Sequence, residues 1–328
     1  MNITIKDIAQ VAGVSYSTVS KALNNSPLVK PETKKKIMNI AKELGYEPNL
    51  AAQQLVSKQS KVIGLIWPTL ERIAPSTLVT KINEEIRANS YSMLLSISTI
   101  EESLEMFRRF QVDGVIVFDE QNHDILDSVT VPLVTYGVGR NHTHSIIDVN
   151  YQAAMEMAIE YLYHLGHRDI AYVGDFSPID DRQSEKFLGI KKAMNRFNLP
   201  ITNQNFINTA GLGWYDGYVA TKRLLSNTSA PTAVVGSSYD ISAGIVRALR
   251  EANFIIPKDI SVISYDNIPQ MANLEIPLTS VGVPVEEIAS HMVNTLLTRI
   301  KTKESAPSIT HLTPTINERI SCACSRHM

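Results

Sequence analysis

Cysteine is nearly absent. Cys322 and Cys324 are the only two in 328 residues, too few for a disulfide framework or a four-cysteine zinc site. No apolar run approaches the roughly 20 residues that span a bilayer. The start, Met1-Asn2-Ile3-Thr4-Ile5-Lys6-Asp7, has no apolar h-region and no small-residue cleavage site, so a cytoplasmic rather than an exported or membrane protein is expected. There is no Walker loop, no Gly-x-Gly-x-x-Gly, no nucleophile elbow and no repeat of 20–50 residues. Without a catalytic constellation, neither an enzyme nor a cofactor is expected. Arginine is missing altogether from residues 1–61. What is present is 44% apolar and 20% charged residue, the balance of a globular protein with a real core. The length suits two or three domains.

The net charge of −2 is unevenly spread. Residues 1–61 hold nine lysines against Asp7, Glu32, Glu43 and Glu47, a net of +5, which leaves −7 for the remainder. A basic head on an acidic body suggests that the head meets a polyanion, although a solvated lysine-rich helix fits the charge equally well. In the head, Ile5, Ile8, Ala9 and Ala12 recur at helical spacing, and Gly13 stops that helix. Ser15 caps a second helix whose buried side is Val19, Ala22 and Leu23. Pro31 opens a third, with Ile37, Ile40, Ala41 and Leu44 on one face. Two short helices joined by a glycine turn and braced by a third make a helix-turn-helix pattern. Three-helix bundles also serve as protein-binding modules. As a DNA reader, the second helix would offer Tyr16, Ser17, Ser20 and Lys21 at its exposed start, with Thr18 at the border of the buried face. Lys34, Lys35 and Lys36 would neutralise phosphates.

Beyond residue 61 short β-rich runs alternate with amphipathic helices. The strand candidates are Val62–Trp67, Met93–Ser98, Gly114–Phe118, Leu133–Tyr136, Ile170–Gly174, Ala233–Gly236 and Ile260–Tyr265. The helix candidates are Thr77–Asn89, Leu104–Phe110, Tyr151–Leu165, Glu185–Phe197, Asp216–Leu225, Ile241–Ala252 and Glu286–Lys301. Such alternation implies parallel sheets covered by helices, with ligands at the carboxyl ends of the strands. About seven or eight such units is too many for one small sheet, so two α/β lobes are expected.

The stretch from Ile3 to Asn24, ITIKDIAQVAGVSYSTVSKALN, resembles the amino terminus of the LacI/GalR family of bacterial transcription regulators. The likeness continues through Tyr46-Glu47-Pro48-Asn49 and Ala51-Ala52-Gln53-Gln54-Leu55. It extends more loosely through Ile63-Gly64-Leu65, His164 to Ala171, Ile260 to Asp266 and Pro277-Leu278-Thr279. It implies an N-terminal all-α helix-turn-helix head and an α/β core of two Rossmann-like lobes, as in periplasmic binding proteins. The head would be residues 1–48, a hinge helix 49–60 and the core 61–328. Lobe 1 would take about 61–149 and 285–313, lobe 2 about 150–284 and 314–328.

The resemblance also implies roles. Thr4, Ile5, Tyr16, Ser17, Thr18, Ser20, Lys21 and Asn24 would contact DNA from the head. Most members carry arginine at the Lys21 position, and lysine loses the two-pronged match to guanine. Asn49, Ala52, Gln53 and Leu55 would contact the minor groove from the hinge, with Leu55 as an apolar wedge between base pairs. A short linker helix is the plainer reading of that segment. An effector between the lobes would meet Arg72 and Ile73 on one loop, Asp148, Arg182, Lys186, Trp214, Ser238 and Asp266. The family usually has arginine at Lys186, an Asn-Asp pair at Ser238-Tyr239 and an acid at Gly137. These departures leave two effector classes open: a charged or phosphorylated sugar or sugar acid, or a neutral sugar with rearranged hydrogen bonds.

The implied function is a repressor of carbohydrate-utilisation genes, nucleoid-associated, acting as a homodimer on a pseudo-palindromic double-stranded DNA operator and gated by a sugar or sugar-derivative effector. A phosphocarrier protein is a further possible partner, as for some members. With no heptads after Arg319, a coiled-coil tetramer is not expected. The competing readings are a solute-binding receptor without DNA activity and an α/β enzyme acting on sugars or nucleosides. Cys322-Ala323-Cys324, His142/His144 and His164/His167 invite metal readings, but no third matched ligand accompanies them. No metal is therefore expected.

Overall fold

The computed structural model describes residues 3–23, 26–46, 59–118, 124–138, 143–176, 178, 180–227, 229–302 and 306–325. The chain divides into two compact units, residues 1–60 and 61–328.

The first unit contains α1 (Ile5–Ala12), α2 (Tyr16–Leu23) and α3 (Pro31–Glu43). Thr4 starts α1: its N–H and its hydroxyl donate to the Asp7 carboxylate at 2.8 and 2.7 Å. These bonds hold the Asp7 carboxyl below its ordinary range. Gly13 ends the helix in the left-handed conformation, φ 69°, which only a residue without Cβ adopts cheaply. Ser15 then caps α2 by accepting from the Thr18 N–H at 3.2 Å. Ile8, Ala9, Ala12, Val19, Ala22, Val29, Ile37 and Ala41 close a separate small core.

The second unit is wound twice in the same way. One sheet has the order β11-β5-β4-β3-β1-β2, all parallel. Its strands are β1 (Val62–Ile66), β2 (Ser92–Ser96), β3 (Gly114–Phe118), β4 (Leu133–Tyr136), β5 (Ser145–Asp148) and β11 (Ile309–His311). The other has the order β12-β10-β9-β8-β6-β7. It contains β6 (Ile170–Gly174), β7 (Phe206–Asn208), β8 (Ala233–Gly236), β9 (Ser261–Asn267), β10 (Thr279–Pro284) and β12 (Thr315–Asn317), and only β12 is antiparallel. Each sheet reverses its direction of winding beside its first strand, which opens a crevice at the carboxyl ends there.

The helices are α4 (Ile73–Ala88), α5 (Ile100–Phe110), α6 (Tyr151–His164), α7 (Asp181–Arg196), α8 (Trp214–Leu225), α9 (Tyr239–Glu251) and α10 (Val285–Thr302). Helix α10 packs on α4, β3 and β4, while α6 packs on α7 and α8 on α9. The α8–α9 crossing is close enough that a Cβ on Gly217 would meet the Ile241 backbone at 2.4 Å. The chain passes between the sheets three times, after β5, after β10 and between β11 and β12.

Several elements differ from the sequence expectations. The strand expected to run to Trp67 ends at Ile66, and Trp67 is fully buried. Helix α5 begins four residues earlier than its apolar pattern, because Thr99 caps it by accepting from Glu102 N–H at 3.3 Å. Strands β5, β7, β10, β11 and β12 were not anticipated. Three of them are three residues long, and β10 carries Gly282 and Pro284.

His167 and Cys322 are held by internal hydrogen bonds. His167 Nε2 donates to the Ala323 carbonyl at 3.0 Å and Nδ1 lies 3.0 Å from the Thr232 hydroxyl. Cys322 Sγ lies 3.3 Å from the Val262 carbonyl, and burial pushes its thiol up to about 11. Among the described residues no three His, Cys, Asp or Glu side chains converge as a metal site, and no helix is long and apolar enough to cross a membrane.

Burial lowers the His167 pKa against the opposing pull of the Ala323 carbonyl. The unfolded chain therefore binds a proton that the native state resists. The ring's contribution to stability is complete above its ordinary value of 6.5 and declines as the pH falls below it. We expect the melting temperature to drop between pH 7 and 5, and a smaller drop on acidification for His167→Gln. An equal drop in both proteins would exclude this origin.

Candidate functional site

Two surfaces follow from this architecture, one in each unit. On the head, the solvent side of α2 presents Tyr16, Ser17 and Lys21, all exposed, with Ser20 and Thr18 half-buried beside them. Positions 16, 17, 20 and 21 share one helical face because the opposite face, Val19 and Ala22, is buried. Thr18 is drawn back by a 2.8 Å bond between its hydroxyl and that of Ser15. Thr4 is exposed but spends its hydroxyl on Asp7, and Ile5 packs against the small core. Lys36 is not among the free cations: its Nζ donates to the Ala12 carbonyl at 3.1 Å, closing the end of α1. Asn24, Asn49, Ala52, Gln53 and Leu55 lie outside the described residues.

In the second unit a cavity of about 60 Å³ sits where the carboxyl ends of the two sheets meet. Phe118 and Tyr136 come from the ends of β3 and β4, Tyr265 and Asp266 from β9. Arg72 stands on the loop after β1, and Arg182, Gln183 and Lys186 on the first turns of α7. Of the eight effector residues named from sequence, the cavity brings together Arg72, Arg182, Lys186 and Asp266.

Arg182, Lys186 and Asp266 are each held by specific neighbours. Arg182, 4% exposed, grips Asp180 with Nε and Nη2 at 3.0 and 2.9 Å and lies over the Phe118 ring at 4.0 Å. Burial pushes the Asp180 carboxyl up, but the Arg182 guanidinium outweighs it and the net shift is downward. Lys186, 3% exposed, donates to the Ser237 carbonyl at 2.9 Å and stands 3.9 Å above the Tyr265 ring. Burial lowers its ammonium to about 8, with Asp266 pulling it up and Arg72 pushing it down. Asp266 accepts from the Tyr239 N–H at 2.8 Å, at the first turn of α9. Its backbone holds φ 82°, a strained conformation for a residue with a Cβ and one found disproportionately at functional sites. Burial drives the Tyr136 hydroxyl up to about 12.

The other four residues are placed elsewhere. Trp214 begins α8, 46% exposed, stacked on Tyr218 at 5.6 Å rather than lining the cavity. Ser238 is fully buried as the cap of α9, its hydroxyl accepting from Ile241 N–H. Asp148 accepts from the Asn150 N–H at 2.8 Å and faces His311 at 3.3 Å, at the crossover between the sheets. Ile73 points outward beside Arg72. Sequence reasoning missed Gln183, Tyr136, Tyr151 and Tyr265. The signal was available, since Tyr136 and Tyr265 end β-rich runs and Gln183 precedes Lys186 by one helical turn.

A buried ammonium is costly when its partners are one carbonyl and a shared carboxylate. Lys186→Met is expected to raise the melting temperature at pH 7 even after the charge-assisted bond to Ser237 O, worth about 2 kcal/mol, is lost. The gain shrinks as the pH rises from 8 towards 10.5, where the lysine of the unfolded chain also loses its proton. A calorimetric pH series checks the sign, and a destabilised variant at pH 7 would refute it.

Comparison with known proteins places both units. Residues 4–49 match the bacterial regulatory proteins of the lacI family, and residues 159–322 match the periplasmic binding protein-like domain. The chain is 30% identical over 324 residues to the HTH-type transcriptional repressor PurR of Pasteurella multocida, covering 95% of this chain and 96% of that one. Its fold is that of the Lac repressor dimer bound to operator and the anti-inducer ONPF: TM-score 0.84, 24% identity, 98% of this chain and 100% of the other. A LacI family transcriptional regulator from Enterococcus faecium with bound ribose is 25% identical, with TM-score 0.73, over 81% of this chain and 100% of that one. The protein is a member of the LacI family of bacterial regulatory proteins.

Proposed function

We propose that this regulator represses transcription by reading duplex DNA with α2, and that a sugar or sugar derivative bound in the cavity gates that binding. The observation that carries the reading is the face formed by Tyr16, Ser17, Ser20 and Lys21. It is polar, it belongs to a helix capped by Ser15 and braced by its own core, and it sits in an amino-terminal segment, residues 1–61, of net charge +5. A helix entering the major groove needs such a face.

One head spans only a few base pairs, so affinity calls for two heads on a pseudo-palindromic operator, and the working form is a homodimer in the bacterial cytoplasm, on nucleoid DNA. The division of labour is a head of residues 1–48, a hinge of 49–60 with Leu55 as minor-groove wedge, and a core that senses the effector without catalysing its conversion. Gating requires only that the effector prefer one arrangement of the core over the other. The core's likeness to a regulator that holds ribose supports a polyhydroxylated ligand.

A gel-shift series tests this. The full chain is expected to shift an inverted-repeat site from beside its own gene, with affinity falling steeply as salt rises. Lys21→Ala should lose about 5- to 150-fold, about 1–3 kcal/mol, and relax the preference at one base position. Lys35→Ala should lower the salt slope by about 1. Lys36→Ala should instead destabilise the head, since that lysine is bonded to Ala12. Leu55→Ala should weaken operator binding and leave effector affinity intact. Absence of any sequence-preferring shift would overturn the reading.

A further inference from the structure

The cavity contains more positive charge than a neutral sugar needs, and it is unevenly satisfied. Arg182 is locked to Asp180 by paired bonds and Lys186 to the Ser237 carbonyl. Arg72 is not locked. Its nearest carboxylate is Asp240, on the first turn of α9, at 3.9 Å from Nε to Oδ2. Both atoms are buried, and neither has a hydrogen bond. A buried ion pair at that distance bears its desolvation cost without gaining a hydrogen bond in return. Two further buried polar atoms of the cavity wall are unpartnered, Gln183 Oε1 and the Tyr151 hydroxyl.

The pair also spans the lobes. Arg72 follows β1 of the first sheet, and Asp240 follows β8 of the second. The space they border, about 60 Å³, holds a handful of water molecules and not a sugar ring. A ring therefore needs more room than this arrangement gives, and the Arg72–Asp240 pair is a weakly bonded contact in its wall.

Resting on the reading of the cavity as an effector site, we infer that its ligand is a polyol carrying one acidic group, and that this group replaces the Asp240 carboxylate at Arg72. The ligand's anion completes the hydrogen bonds that Arg72 lacks, in a two-pronged geometry that a guanidinium favours. Its hydroxyls satisfy Gln183 Oε1, the Tyr151 hydroxyl and the second oxygen of Asp266. Release of Asp240 breaks a contact between the lobes, so occupancy and lobe arrangement are coupled through one exchange of partners. A carboxylate and a phosphate share this chemistry.

Titration calorimetry on the full chain separates the possibilities. The probes are matched sets of common pentoses and hexoses, each as the neutral sugar, its uronate or aldonate, and its terminal phosphate. At least one acidic member is expected to bind at least tenfold more tightly than its neutral counterpart, and the uronate and phosphate arms identify which anion is read. Arg72→Met should abolish that preference, lowering the affinity of the acidic member at least tenfold more than that of its neutral counterpart. Asp240→Asn removes the competing carboxylate and should tighten acidic binding several-fold, which a merely structural aspartate would not do. A neutral sugar binding as tightly as its acidic partners, or no acidic member binding, overturns the inference, as does unchanged or weaker acidic binding in Asp240→Asn. Gel shifts run beside these titrations keep the two readings apart. A shift released by a neutral sugar sinks only the acidic ligand, whereas no shift at all sinks the repressor.

Discussion

Arg72, Arg182 and Lys186 bring three largely buried cations to one small cavity, and the core around it is organised to satisfy them. Asp180, Asp240 and Asp266 are the counter-charges, and each reaches its place from a helix start or a strand end. Aromatic rings do the rest: Phe118 lies under the guanidinium of Arg182, and Tyr265 under the ammonium of Lys186. In a medium of low dielectric these contacts are worth far more than on a surface, and an incomplete one costs correspondingly more. The incompleteness is greatest at Arg72, whose Nε faces the Asp240 carboxylate of the other lobe without a hydrogen bond.

This concentration follows from topology. A parallel sheet sends its strand ends, its loops and the starts of its covering helices to the same edge. Two such sheets, wound alike and facing each other, double the number of backbone N–H groups and polar loops aimed at one crevice. Asp266 shows the consequence, since its carboxylate takes the Tyr239 N–H at the start of α9 while its own backbone is strained at φ 82°. Strain there is offset by a helix-terminus bond that only this register provides.

The head obeys a different logic. Its core is small, so its helices depend on terminal bonds: Thr4 with Asp7, Gly13 in the left-handed conformation, Ser15 with Thr18, and Lys36 on the Ala12 carbonyl. These fix the backbone of α2 beneath its exposed polar face, which reduces the ordering cost of meeting a groove. Lys36 shows how a lysine run can mislead, since one of three consecutive cations is consumed inside the fold.

Much of this was legible in residue order because it is local. Apolar spacing located every helix of the core and most central strands, caps and glycines bounded the head, and the likeness of residues 3–24 to the LacI family named the regulator. The short edge strands β7, β11 and β12 were not legible, because three residues carry no period and pair only when a longer neighbour is already in place. Nor were the fates of Trp214, Ser238 and Asp148, which alignment brought to the cavity and packing placed in a stack, a cap and a crossover. Sequence by itself determined the two-unit plan, the helical head and the inventory of charges, since these follow from periodicity and composition along the chain. Only tertiary structure decided which charges meet, because Arg72 and Asp240 lie far apart in sequence and become partners solely where two sheets turn their strand ends towards one another.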